Sequence, residues 1–478
     1  MLLKVHQLLR KKLLKKMSLL EQITSFLPEV RGPKEKKLPF KEKLKWTLIT
    51  LILFFIMGFI PLFGLGENSL QRFEFLSIIL GASFGSIISL GIGPLVTASI
   101  VLQLLAGTGI LNMDLTSSEG RKKFQGLQKI SAIFFVIFEA CIYVLMGGLS
   151  HNPSLAGTPL YFQLEMLLIF QLFLGGIIIM FMDEVVSKWG FGSGISLFIA
   201  GGVAQQIFIR AFNFLPSPTN PDIAAGAIPA LFQSLSLGDL TTATLQLAAL
   251  ASTIIVFFIC VYGQAMKVEI PLSFGRIRGY GMRWPLNFFY TSNIPVILVA
   301  ALMANIQLFA TLLESWGYPI LGTFSGGTPI SGLVYWLSSP NLLQNIITGG
   351  FSLTMIGQSV IYILVFVLGS VMFSIFWMQT ANMDAASQAR QIMASGLQIP
   401  GFRRDERVLE KILSRYIWPL TIVGGASIGL LAALADLTGA LSQGTGILLA
   451  VMIVHKLYEE IAKHHMMDMH PALRKMME

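Results

Sequence analysis

The 478-residue chain is 54% apolar and only 12% charged, about half the charged share of a soluble protein. With a mean hydropathy of +0.71, that composition excludes a water-soluble enzyme and an intrinsically disordered chain, and it points to lipid contact. Cys141 and Cys260 both lie inside apolar runs, where a thiol packs as a small hydrophobe, so a disulfide scaffold is excluded too.

Residues 1–45 hold 13 of the 34 basic residues and form a basic N-terminal segment. Leu2, Leu3, Leu9, Leu13, Leu20 and Ile23 recur among the lysines, the pattern of an amphipathic helix on anionic headgroups. No secretory signal peptide is expected, because the basic region is too long and no cleavage site follows the first apolar run. Met17 offers a second start, which would leave residues 1–16 untranslated.

A hydrocarbon core about 30 Å thick takes roughly 20 residues of helix at about 1.5 Å each. That ruler predicts an all-α membrane protein with ten spans. The N-terminal half, 46–214, holds Trp46–Phe63, a Gly-interrupted Phe73–Leu105, Ile130–Leu149, Leu164–Met182 and Ile195–Phe214. An external connecting loop, 215–244, follows. The C-terminal half, 245–458, holds Leu245–Tyr262, Ile294–Leu313, Thr354–Trp377, Ile417–Leu434 and Gly439–Tyr458, and 459–478 is a tail. With this count only Arg72 and Arg210 fall outside the basic-rich side, which places both termini in the cytoplasm.

The second span cannot be one straight helix. Gly81, Gly85, Gly91, Gly93 and Pro94 cut it, and Pro suits a first turn and not an interior, so a new helix is predicted at Pro94. The short piece before it is too polar for lipid, and irregular backbone at membrane depth must be buried in protein or line a cavity. Gly190–Gly194 makes a similar break before the fifth span.

Several motifs read as decoys. Gly81–Gly85 and Gly425–Gly429 match Gly-x-Ser-x-Gly, but without a preceding strand they are small-residue faces for close helix approach and not nucleophile elbows. The tail run His464 to His470 lacks a cysteine or a fixed second shell and is read as solvated, so no metal and no cofactor is expected. Without a phosphate-binding loop, energy must come from a partner or a gradient. Glu139 is the one carboxylate well inside a span. Read as a structural hydrogen-bond partner it weakens the alternative of an ion-coupled secondary transporter of a small molecule, which would need such groups.

Specific strings then narrow the reading. Ile88-Ser89-Leu90-Gly91-Ile92-Gly93-Pro94-Leu95-Val96-Thr97-Ala98-Ser99-Ile100 resembles the second-span signature of the SecY family, the large subunit of a protein-conducting channel. Asp183-Glu184, Ser187 to Gly190, Gly192 to Ile195, Glu269 to Leu272, Asn293 to Ile297, Ala304 to Gln307 and Gly401 to Arg404 resemble further family blocks in family order. The likeness runs from about Pro28 to the C-terminus, and Lys41 to Trp46 resembles archaeal members.

The resemblance implies two five-helix halves around an hourglass pore in the cell membrane, and no enzymatic activity. Secretory polypeptides would cross through the pore, and membrane segments would leave sideways into the bilayer. It implies a pore ring at Ile92, Val96, Ile195, Ile199, Ile297 and Leu449, and a plug at about 70–86 with Leu70, Phe73, Phe75, Leu76, Ile79 and Ser83. A lateral gate would carry Thr97, Gln103, Asn305 and Gln307. Arg276, Arg278, Arg283, Arg403 and Arg404 would dock the ribosome. Implied partners are a SecE-type clamp subunit, a small single-span third subunit, the ribosome, signal sequences and nascent polypeptides, and membrane lipid.

Overall fold

The computed structural model describes residues 27–33, 38–65, 85–107, 110–111, 118–145, 149, 159–217, 222–274, 281–292, 294–325, 328–394, 397–398, 405–442 and 444–469. The N-terminal part contains α1 (Phe40–Gly58), α2 (Gly93–Gly107), α3 (Ser118–Leu145), α4 (Pro159–Trp189) and α5 (Gly194–Phe212). A short α6 (Ala227–Leu237) leads into α7 (Leu240–Ala265), the hairpin β1 (Lys267–Phe274) and β2 (Gly281–Asn287), and α8 (Ile294–Ser315). After β3 (Phe324–Ser325), β4 (Thr328–Pro329), α9 (Gly332–Trp336) and α10 (Leu342–Thr348) comes α11 (Leu353–Thr380). Then follow α12 (Ala385–Ala394), β5 (Leu397–Gln398), α13 (Glu406–Leu437) and α14 (Gly444–Met469).

Among the described residues seven helices are long and apolar enough to cross a membrane: those at α3, α4, α5, α7, α8, α11 and α13. Their outward faces carry exposed rings such as Phe134, Phe138, Phe257 and Phe258, which water would not tolerate in such density but lipid does. Helices α1, α3 and α4 pack chiefly within the N-terminal part, and α7, α8, α11, α13 and α14 chiefly on one another, while α5 packs most extensively on α14. The two groups meet where α5 packs on α14 and where α2 packs on α8 and α11.

Helix α2 begins at Gly93, one residue before Pro94, as a proline in the first turn requires. The chain reaches it through a buried turn at 85–92, where Gly91 takes a left-handed φ of 54°, a conformation that side chains disfavour. The turn is tied to the end of α1: Leu62 N donates to the Gly85 carbonyl (2.7 Å) and Ile87 N to that of Ile60 (3.0 Å). The predicted plug residues Leu70, Phe73, Phe75, Leu76, Ile79 and Ser83 lie outside the described residues.

The Gly425-x-Ser-x-Gly429 string does mark a close approach. It sits within α13, where an added Cβ would lie 2.9 Å from Ser374 at Gly425 and 2.7 Å from the Phe366 carbonyl at Gly429, both on α11.

The connections between the predicted spans hold secondary structure of their own. Residues 215–244, read as a connecting loop, contain α6, and α7 begins at Leu240 because Asp239 caps it, accepting from Thr241 N and Thr242 N at 3.2 Å. Those hydrogen bonds, led by that from the Thr242 hydroxyl, hold the Asp239 carboxyl below its usual range. The loop 266–290 is a hairpin that takes β5 from the next basic loop as a third strand, in the order β2-β1-β5. Period-two alternation of Lys267, Val268, Glu269 and Ile270 is the signal for it. Ile270 and Leu286 are buried against α12 and α13 residues such as Ala389 and Leu413, so the two basic loops form one unit.

Residues 28–31 lie across the ends of α3 and α4. Val30 N donates to Glu184 (2.9 Å), Trp189 Nε1 to the Arg31 carbonyl (2.8 Å), and Lys129 pairs with Glu184. Lys188 donates to Glu29 at 2.5 Å, and that hydrogen bond holds the Glu29 carboxyl below its usual range against a small opposing effect of burial. A depressed carboxylate contributes above its unfolded value, so this attachment weakens as pH falls through the carboxylate range.

Replacing Gly429 with Val forces α11 and α13 apart. Overpacking of this kind costs about 1–3 kcal/mol, so the purified Gly429→Val chain is expected to unfold at a lower temperature than the parent in the same detergent. An unchanged midpoint would show that the two helices do not need this close approach.

Candidate functional site

Six aliphatic side chains from four places in the chain meet where the two groups of helices touch. Ile92 precedes α2 and Val96 lies in its first turn, Ile195 and Ile199 lie in the first two turns of α5, Ile297 opens α8, and Leu449 is in the second turn of α14. Ile92, Val96, Ile199 and Leu449 are buried in one apolar cluster, and Ile195 and Ile297 pack against it partly buried. That cluster is broad and also holds residues such as Phe54, Cys260 and Tyr362; of the six expected residues, Val96, Ile195 and Ile297 share the lining of one cavity.

A cavity of about 460 Å³ opens on one side of this waist, with Val96, Ile195 and Ile297 in its lining. On α2 and α14 the other lining residues, such as Gln103 and Ile453, come later in the chain than the waist residues. On α5 they run from Ser193 to Leu197, at the start of the helix. The cavity is thus a vestibule on the face where α14 ends, with aliphatic groups at its inner end. Its walls are mixed: Phe191 and Trp377 are apolar, Ser99, Gln103, Ser193 and Ser196 are polar, and Lys456 and Glu460 are charged.

Two local devices set the α5 wall. Asp183, near the end of α4, accepts from Ile195 N at 2.9 Å and from Ser193 Oγ at 3.5 Å, which satisfies a free amide at the start of α5. The chain can pass this close because residue 194 is a glycine, whose added Cβ would lie 2.5 Å from Asp183 Cα. On the opposite side Asp436, at the end of α13, accepts from Thr445 N (2.8 Å) and Thr445 Oγ1 (2.9 Å) and from Tyr362 Oη (2.6 Å). That fixes the start of α14 and with it Leu449.

Beside the waist, α2 and α8 share a polar contact. Asn305 Nδ2 donates to Thr97 Oγ1 at 3.3 Å, and Thr97 Oγ1 lies 3.0 Å from Glu139 Oε1 on α3 and 2.9 Å from the Gly93 carbonyl. Glu139 is thereby a structural partner of α2, and the Thr97 hydroxyl is the atom that links α2, α3 and α8. Gln103 lines the vestibule together with α8 residues but makes its hydrogen bond within α2: its amide donates to Ser99 Oγ (2.9 Å), which also receives Gln128 of α3 at 3.4 Å. The Gln307 side chain has no hydrogen-bond partner among the described residues. Of the four residues expected on this seam, two bridge it. Ser99 and Gln128, which join α2 to α3 here, were missed, since a lone serine or glutamine inside a helix carries no signal without knowing which helix faces it.

Of the five arginines expected to dock a ribosome, Arg283 is described; it is exposed on β2 and paired with Glu269 at 2.8 Å. Arg276, Arg278, Arg403 and Arg404 lie outside the described residues.

The SecY family profile matches residues 86–458. Protein translocase subunit SecY of Methanothermobacter thermautotrophicus is 48% identical over 458 residues, which span 95% of this chain and 97% of that protein. The subunit of the same description from Pyrococcus furiosus is 43% identical over 467 residues, 94% of this chain and 97% of its own. A solved structure described as that of a protein-conducting channel superposes with a TM-score of 0.81 at 41% identity, covering 95% of this chain and 99% of the other. Sec61 in a canine ribosome-channel complex from the endoplasmic reticulum gives a TM-score of 0.78 at 40% identity, with the same coverage.

Truncating Asn305 to Ala removes the bond to Thr97. Interhelical polar bonds in membranes average about 0.6 kcal/mol, so separation of α2 from α8 is expected to become about threefold more frequent. Crosslinking between cysteines introduced on the facing sides of the two helices reads this, and an unchanged rate would mean that the bond does not hold the seam.

Proposed function

We propose a working of the waist from this premise: the chain belongs to the SecY family and forms the protein-conducting channel of a translocase. It is a multi-pass membrane protein and not an enzyme. The secondary-transporter reading finds no support, because the relatives matched over nearly the whole chain are translocase subunits.

Ile92, Val96, Ile195, Ile199, Ile297 and Leu449 act in this reading as the ring that seals the pore. The observation that carries it is their convergence in one apolar cluster at the inner end of a vestibule. A narrow aliphatic collar offers an ion nothing in exchange for its hydration shell and tends to dewet. It also offers a polypeptide no directional bond, so strands of any sequence can slide against it. Residues 70–86, with Leu70, Phe73, Phe75, Leu76, Ile79 and Ser83, would plug the far side. Thr97 and Asn305, with Gln103 and Gln307 near them, would form the side gate. A single weak bond suits a seam that an apolar signal helix must part.

In full this reading has ten crossings in two halves of five around an hourglass pore, in the cell membrane with both termini in the cytoplasm. A SecE-type clamp and a small single-span subunit complete the complex, and nascent chains, signal sequences and lipid meet it there. The ribosome is the proposed cytoplasmic partner, in keeping with the ribosome-bound likeness of Sec61. Arg276, Arg278, Arg283, Arg403 and Arg404 are its proposed contacts, because guanidinium forks suit phosphate.

A photo-crosslinker at Ile92 or Ile297 is expected to trap a polypeptide stalled in the assembled complex. No adduct in a complex that still translocates would exclude those positions from the ring. Exchange of Arg403 for Glu is expected to weaken ribosome binding, most visibly at moderate salt; equal affinity for both chains at low salt would retire that contact.

A further inference from the structure

The face of α14 that carries Leu449 continues into the vestibule. Ile453, Lys456, Leu457 and Glu460 line the cavity, and their spacings of three and four are those of one helical face. At about 1.5 Å per residue, Lys456 stands about 10 Å above Leu449 and Glu460 about 16 Å above it. They are the only charged residues in the lining.

Both charges are unpartnered among the described residues. Their i, i+4 spacing permits an ion pair, but no ion pair is formed by either residue, whereas the neighbouring Glu459, off the cavity face, pairs with Lys267 at 3.1 Å. Glu460 is half-buried and Lys456 exposed. A cleft between protein walls screens a charge less than open water and focuses its field into the cavity.

We propose that Lys456 and Glu460 are a charge-reading pair, which interacts with ionised side chains of the polypeptide as it enters the vestibule. The proposal rests on the channel reading above. Glu460, nearer the mouth, attracts basic stretches, and Lys456, deeper, attracts acidic ones before they reach the uncharged ring. The pair therefore sets how readily charged segments are admitted relative to each other, while the ring stays indifferent to sequence.

The test uses the complete translocase in proteoliposomes and three substrates that differ in one short stretch: lysine-rich, glutamate-rich or neutral. The readout is the ratio of lysine-rich to glutamate-rich passage, which an overall loss of activity does not move. Glu460→Lys is expected to lower that ratio about tenfold, the low end of what charge-lined clefts do to association rates, and Lys456→Glu to raise it comparably. Glu460→Asp and Lys456→Arg are expected to keep the parent ratio. Ratios within about twofold of the parent in both charge-reversed variants, or the same shift from Glu459→Lys on the other face, would overturn the pair. If the parent complex fails to pass even the neutral substrate, the channel reading falls and the pair with it; if the neutral substrate passes and only the ratios stay fixed, the pair alone falls.

Discussion

The centre of this molecule is an aliphatic contact that makes no directional bond. Where α2, α5, α8 and α14 meet, Ile92, Val96, Ile199 and Leu449 are buried together with Ile195 and Ile297 against them. Dispersion and exclusion of water hold such a contact, and neither depends on a fixed orientation of the partners. The groups around it behave differently. Asp183 caps α5 and Asp436 caps α14 with geometrically specific hydrogen bonds, so the helix starts are positioned firmly while the side chains they carry meet loosely.

The seam beside the waist sits between these extremes. One amide from α8 reaches one hydroxyl on α2, and Glu139 on α3 stands behind that hydroxyl. The link inside the N-terminal group is the shorter, which leaves the α2–α8 contact as the weaker joint. Close packing of α11 on α13 at Gly425 and Gly429 makes the C-terminal group stiff in contrast.

On the face where α14 ends, polar order is dense. Residues 28–31 lie across α3 and α4 through Glu184, Lys188 and Trp189, and two basic loops share one three-stranded sheet. Lys456 and Glu460 are exceptions to this pairing, and they face the vestibule.

The sequence by itself determined the solvent, the helical class and the family. Apolar length is a direct physical requirement of the bilayer, Pro94 after a glycine-rich break marks a helix start, and the string from Ile88 to Ile100 is long enough to be specific. The alternation in Lys267 to Phe274 was also legible there, as was the capping Asp239, though the expectation of plain loops passed over both. Only the tertiary structure decided which groups face each other. It turned Gln103 to Ser99 and not across the seam, joined β5 to β1, set Arg283 against Glu269, and aimed Lys456 and Glu460 into a cavity. Helical periodicity assigns a residue to a face of its own helix; what lies opposite depends on how helices distant in the chain pack, and a linear pattern carries no measure of that.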